Sequence, residues 1–366
     1  LMVGGGDGFH TYRDPGEPDI IYAEYQGGNL LRYHLSTQET KEIAPLPGEG
    51  EEAYRFNWNT ALHLSPNVPG TIYYGGQYLF RSPDRGESWE KISPDLTTND
   101  PQRQRQMDSG GLTIDNSTAE NNTTIYTISE SPLNGELIWV GTDDGLVQLT
   151  RDGGETWTNV TANIPDLPAG LWVSHVEASP HDEGTAHVTV DGHRSGDMNT
   201  YVYRTRDYGA TFESIVGEGL DSFAHVIVQD LVNPELLFAG TETGVYITLD
   251  GGQQWARFKG GVPMVPVRDI DIHPREHDLI IGTHGRGVYI LDDLTPLRSL
   301  TSETLESSFA LLPSRDAVMV IGGGMAWFGG NDEFTGSNPP EAANIFFYQK
   351  KRHIFGDLKI EIYDED

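Results

Sequence analysis

The chain contains no cysteine, which excludes a disulfide framework, thiol catalysis and thiolate metal sites. Positive charge is scarce. Lysine and arginine number 24 against 55 aspartate and glutamate, a net charge of −31. A field of that sign repels nucleic acid and anionic membrane surfaces, so no nucleic-acid partner is expected. It favours solubility and divalent or cationic partners, and its plainest reading is a solvated acidic skin. Long apolar runs are missing too: none approaches the ~18 residues of a transmembrane helix. Helical periodicity is nearly absent, so a Rossmann or heptad reading fails. No signal peptide is visible and the chain starts at Leu1, so the sequence is expected to be a processed protein or part of a longer one.

What the chain has is turns. It carries 43 glycines and 21 prolines with 37% hydrophobic residues, a mixture that suits an all-β protein. An aromatic share of 10% supplies large core pieces. One eight-residue phrase occurs four times: SPDRGESW (82–89), TRDGGETW (150–157), TRDYGATF (205–212) and TLDGGQQW (248–255). The template is Ser/Thr, any, Asp, any, Gly, any, any, aromatic. Intervals of roughly 40–70 residues point to a propeller or array rather than a short-period solenoid.

A second signal occurs six times. A turn with proline precedes a β-branched and aromatic run that ends in glycine, at Asp14-Pro15, Ser65-Pro66, Ser131-Pro132, Ser179-Pro180, Asn233-Pro234 and His273-Pro274. Within one copy (223–258), FAHVIVQD, ELLFAGTE, GVYITLD and QWARF read as four short strands. Four antiparallel strands per repeat make the blade of a β-propeller. Six blades are therefore expected over residues 1–300, and a seventh if further sequence lies upstream.

The repeated phrase has a structural reading. Its aspartate can accept hydrogen bonds from the N–H groups of its own turn, its glycine takes a conformation that a Cβ would penalise, and its aromatic residue plugs the sheet. Asp84 with Trp89, Asp152 with Trp157, Asp207 with Phe212, and Asp250 with Trp255 are thus expected to form hairpin clips between third and fourth strands. Placed on separate blades, these aspartates would sit too far apart to form one catalytic or metal site.

These phrases resemble the Asp-box (BNR) repeats of sialidases, sortilin-type propellers and xyloglucanase-type glycoside hydrolases. GGGDGF (4–9), YRFNWNT (54–60), the segment 139–161 and GTHGRGVYILDDLTPLR (282–298) are more closely similar to a bacterial sortilin/VPS10-like Asp-box group. That resemblance implies an exported, extracytoplasmic protein. Members are often labelled glycosyl hydrolase from the repeat alone, although a fold does not fix a function.

Residues 301–337 read as a linker packing on the propeller. Residues 338–366 contain NPPEAANIFFYQK and LKIEIYDED, two alternating strands that resemble the start of a β-sandwich-like module. Two strands are marginal alone.

In a propeller the first strand of each blade lines the central channel, and loops at one mouth form the usual binding face. The candidates there are His10, Asn57, Trp58, Asn59, Trp172, His175, His225 and Arg268. The two tryptophans could stack on sugars and the asparagines could bind hydroxyls. The competing reading is a channel filled by packed polar side chains. Sialidase chemistry lacks its arginine cluster. A xyloglucanase-like mechanism needs two carboxylates across a cleft. Asp7 in GGGDGF matches one such position by resemblance, and Asp269 is a guess by position. No cofactor is expected. Asp143-Asp144 and Asp292-Asp293 could hold Ca²⁺, solvated turns being the simpler reading. THGRG (283–287) reads as an inter-strand turn. The main expectation is a non-catalytic binding or assembly propeller recognising a protein, peptide or glycan; the alternative is a glycoside hydrolase.

Overall fold

The computed structural model of the chain describes residues 3–108, 117–119, 121–317, 342–354 and 356–363. It forms two compact units. The first comprises Leu1–Ile270 with Ile281–Tyr289, and the second Asp271–Ile280 with Ile290–Asp366.

The fold is an all-β propeller. Five four-stranded antiparallel meanders and one three-stranded sheet follow one another along the chain. Their first strands are Gly8–Arg13, Ala61–Leu64, Ile125–Ser131, Trp172–Ala178, Ala224–Gln229 and Val267–Ile272, here called the inner strands of blades 1 to 6. The inner strands of blades 1 to 5 lie side by side in chain order. The sixth blade shows three strands where four were expected. No Asp box follows its third strand Val288–Leu291; the chain instead turns through Asp292, Asp293 and the helical turn Thr295–Arg298.

Apolar side chains collect between neighbouring blades. Tyr22 and Leu30 of blade 1 pack with Ile72 and Tyr74 of blade 2, and Trp139 of blade 3 packs with Val173 and Val188 of blade 4. In blades 2, 3 and 5 the glycine that ends the second-strand run serves this packing. A Cβ on Gly75 would lie 2.6 Å from Ile125, on Gly141 2.4 Å from Val173, and on Gly240 2.9 Å from Val267. Each contact is the inner strand of the next blade, so the glycine lets two sheets approach.

The four Asp boxes connect third and fourth strands, as the sequence predicts. Asp152 accepts hydrogen bonds from Thr150 Oγ1 (2.8 Å) and from the N–H of Thr156 (2.9 Å). Asp84, Asp207 and Asp250 repeat the pattern with Ser82, Thr205 and Thr248. Hydrogen bonds from the Thr156 hydroxyl and N–H hold the Asp152 carboxyl down at about 2.

The clip reaches further than its own hairpin. Trp89 Nε1 donates to the Ile43 carbonyl (2.6 Å), Trp157 Nε1 to Ile92 (3.0 Å), and Trp255 Nε1 to Ile215 (3.0 Å). Each acceptor lies just past the fourth strand of the preceding blade. The box is thus an inter-blade staple as well as a turn. Phe212 has no donor to offer. At that junction the Val160 carbonyl accepts from the Asn163 N–H (3.0 Å), and Asn163 Nδ2 donates across to Gly209 (2.7 Å).

The box glycine shares this junction. Gly154 has φ +105°, and a Cβ there would lie 2.5 Å from the Ile92 carbonyl oxygen. Gly154→Ala is expected to destabilise the fold by at least ~2 kcal/mol, from left-handed strain together with a clash against backbone. Urea unfolding reads the loss; an unchanged midpoint would contradict the close approach.

The second unit carries short helical segments, Thr295–Arg298 and Ser302–Glu306, and a two-stranded sheet pairing Phe309–Leu312 with Phe346–Gln349. Of the two strands expected in 338–366, the first forms. Residues 358–363 are in no strand. The glycine-rich segment GGGMAWFGGND lies outside the described residues.

Candidate functional site

Inside the first unit, the leading ends of the inner strands and the segments beside them surround a cavity of about 920 Å³. Asn57, Trp58 and Asn59 enter from the segment before the inner strand of blade 2, and Tyr126 from blade 3. Trp172, His225 and Arg268 enter from blades 4, 5 and 6. Six sequence-predicted residues therefore meet at one opening. His10 and His175 do not line it. His10 stacks on Tyr12, and burial pushes both histidines down to about 4, keeping them neutral near pH 7.

The lining residues differ in what they leave free. Asn57 is buried and committed: its Nδ2 donates to Asp143 Oδ2 (2.9 Å) and Thr124 Oγ1 (3.2 Å). Asn59 Oδ1 and Asn122 Oδ1 are buried atoms with no hydrogen-bond partner among the described residues. Trp58 is half-buried. Trp172 is already engaged, with the Arg194 guanidinium 4.1 Å from its ring centre and Tyr126 edge-on at 5.0 Å.

Blade 4 supplies three residues that sequence reasoning missed. Its second strand ends at Asp191, and a short 3-10 turn, His193–Ser195, follows. Asp191 Oδ1 accepts from the His193 N–H (2.9 Å) and lies 2.6 Å from His193 Nδ1. Burial would raise its carboxyl, but hydrogen bonds from His225 and His193 overcome that and hold it at about 2. Asp191 is therefore an ionised acceptor near neutral pH.

A second chain of contacts crosses the cavity. Arg268 Nη1 meets His225 Nδ1 at 3.1 Å, and His225 Nε2 meets Glu242 Oε2 at 3.1 Å. His225 Nδ1 also lies 3.5 Å from Asp191 Oδ2, so one imidazole sits among Arg268, Glu242 and Asp191. Arg103, from the segment between blades 2 and 3, donates to the Gly170 carbonyl (3.2 Å). His284 lines the cavity from the THGRG turn. That turn is closed by Thr283 Oγ1 donating to the Gly287 carbonyl (2.6 Å).

Asp143 and Asp144, expected as a solvated turn, are buried. The Thr124 N–H donates to Asp143 (2.9 Å) and the Thr98 N–H to Asp144 (2.7 Å), so the pair anchors segments beside the cavity. Burial pushes the Asp143 carboxyl up to about 7. Asp7 and Asp269 are exposed and stand outside the cavity lining. The Asp7 N–H donates to Gln26 Oε1 (2.7 Å), while Asp269 Oδ1 accepts from the Ile270 N–H (3.0 Å). None of the four box aspartates lines the cavity. Among the described residues, no group of three or more His, Cys, Asp or Glu side chains is placed to hold a metal ion.

No family model matches the chain. Its sequence is similar to an oligoxyloglucan-reducing end-specific xyloglucanase of Emericella nidulans, 24% identical over 236 residues, covering 62% of this chain and 26% of that protein. It is also similar to a xyloglucanase of Acetivibrio thermocellus, 25% identical over 290 residues, covering 70% and 31%. The chain thus spans about a quarter to a third of the length of these relatives. Among solved structures, an ancestral GH74 enzyme superposes with a TM-score of 0.56 at 18% identity, over 78% of this chain and 36% of that one. The GH74 xyloglucanase from Xanthomonas campestris gives 0.50 at 17%, over 79% and 52%. These superpositions establish the propeller fold. Among the described residues, no helix is long and apolar enough to cross a membrane.

Proposed function

We propose that this propeller is a carbohydrate-active module of the xyloglucanase type, and that the mouth cavity is its glycan site. The observation that carries the reading is the composition of one opening: Trp58, Trp172 and Tyr126 share it with Asn59, Asn121 and Asn122. Apolar sugar faces stack on aromatic rings while hydroxyls bond to amides, so this pairing suits a saccharide. The xyloglucanase relatives support it. An extracytoplasmic setting follows from such a substrate. The finer assignment to a sortilin-like group rests on the motif resemblance alone.

Trp58 is the half-buried ring with no aromatic or cationic neighbour among the described residues. Trp58→Ala is expected to weaken binding of xyloglucan oligosaccharides by about tenfold or more, roughly 1.4 kcal/mol. Isothermal titration calorimetry reads the change. Absence of any saccharide binding by the native chain would sink the proposal.

A second reading, binding without hydrolysis, has a specific observation in its favour. Hydrolysis needs two carboxylates about 5–10 Å apart, and Asp191 is the one carboxylate among the described residues that line the cavity. Under this reading a protein or peptide could occupy the same rim. Release of reducing ends from xyloglucan separates the two.

A further inference from the structure

The chain as a whole carries more than two acidic residues for each basic one, 55 against 24. Among the described residues the cavity inverts that ratio: Arg103, Arg194 and Arg268 line it against the carboxylate of Asp191. That carboxylate is already met by His193 Nδ1 at 2.6 Å, with His225 Nδ1 at 3.5 Å. It has little left to offer a bound cation.

The three guanidiniums are compensated to different degrees. Arg268 Nη2 lies 3.6 Å from Glu242 Oε2, an oxygen that His225 also uses. Neither Arg103 nor Arg194 makes an ion pair among the described residues; Arg103 bonds a backbone carbonyl and Arg194 lies over the Trp172 ring. A guanidinium braced on an aromatic face keeps its N–H edge available, and that edge matches a carboxylate in bidentate geometry. Its loop is held in place: the Tyr201 hydroxyl donates to Asp197 Oδ2 (2.9 Å), and Asp191 fixes the His193 N–H. Arg194 is therefore presented rather than trailing in solvent. In so acidic a protein, a basic cavity also concentrates the field on an incoming anion.

We propose that the mouth cavity selects a carboxylate-bearing saccharide, a uronic-acid-containing glycan, with Arg194 and Arg103 as the carboxylate-binding pair. The inference rests on the glycan reading above and departs from the neutral xyloglucan of the relatives in the class of glycan it assigns. Trp172 then braces Arg194, and Trp58 is the stacking surface.

The test uses the intact chain and matched probes: oligogalacturonides, and the same oligomers after chemical reduction of their carboxyl groups. Calorimetry at low and high salt compares them. The expected result is at least tenfold tighter binding of the acidic form, with that preference lost at high salt. Arg194→Gln removes most of the preference, and Arg103→Gln, at an independent position, also reduces it. Equal or tighter binding of the reduced oligomers, with Arg194→Gln unchanged, overturns the inference but leaves the glycan reading standing. If neither probe nor any neutral glycan binds, both fall.

Discussion

Trp255→Ala is expected to cost about 3–5 kcal/mol in unfolding free energy, the usual loss for a buried large aromatic. Trp255 is only 6% exposed and packs with Ile215, Leu220 and Ala239 between blades 4 and 5. Its indole also supplies the donor for the Ile215 carbonyl. Trp255→Phe separates the two contributions. It keeps most of the apolar area and loses the hydrogen bond, so it should cost only about 1 kcal/mol. Phe212 occupies the equivalent place, but there Asn163 supplies the inter-blade bond. Equilibrium urea unfolding of both variants is the measurement. A Trp255→Ala protein as stable as the native chain would mean that the box aromatic is not a staple.

Stability is expected to fall as pH rises from about 4.5 toward 9, because of Glu24. This residue on the second strand of blade 1 is 3% exposed, and its Oε1 has no partner among the described residues. Tyr74 Oη donates to the other oxygen at 3.3 Å. Burial pushes the carboxyl up from 4.5 to about 9. The folded state therefore binds this proton more tightly than the unfolded chain does. The resulting stability is complete below pH ~4.5 and is lost as pH rises through ~9. A tenfold difference in proton affinity between the two states is worth ~1.4 kcal/mol, so several kcal/mol are at stake. Asp143, raised to about 7, acts in the same direction.

At the acid end the sign reverses. Asp152 and Asp191 are held at about 2, below the ordinary 3.8, so their contribution is present above pH ~4 and is lost as pH falls toward 2. The melting temperature should peak in mildly acidic buffer. Glu24→Gln, neutral at every pH, should flatten the alkaline limb and leave the acid limb unchanged. A Glu24→Gln profile parallel to the native one would remove Glu24 as the cause.

The ring of sheets was legible because its signals are local. The Pro turn, the β-branched run and the closing glycine lie within about a dozen residues of one another in each blade. The Asp box encodes its own hydrogen bonds, as Ser82 with Asp84 and Thr150 with Asp152 show. The cross-blade donation by Trp157 was not legible, since its acceptor at Ile92 lies 65 residues away. The site was half legible. Trp172, His225 and Arg268 follow from the first-strand rule, while Trp58 lies just before the first strand of blade 2. Asp191 ends a second strand, and His193, Arg194 and Arg103 come from irregular connections that repeat nothing. One signal was available: where other blades have GTDDG or GTETG, blade 4 has the longer, charged DGHRSGD.

The decisive question is where a saccharide touches the chain. Hydrogen–deuterium exchange with and without a bound acidic oligosaccharide addresses this directly. Protection is expected at 57–59, 172–174 and 191–194, with no change at the box turns around Asp84, Asp152, Asp207 and Asp250. Protection confined to the box turns, with the mouth segments unaffected, would contradict a glycan site at the mouth.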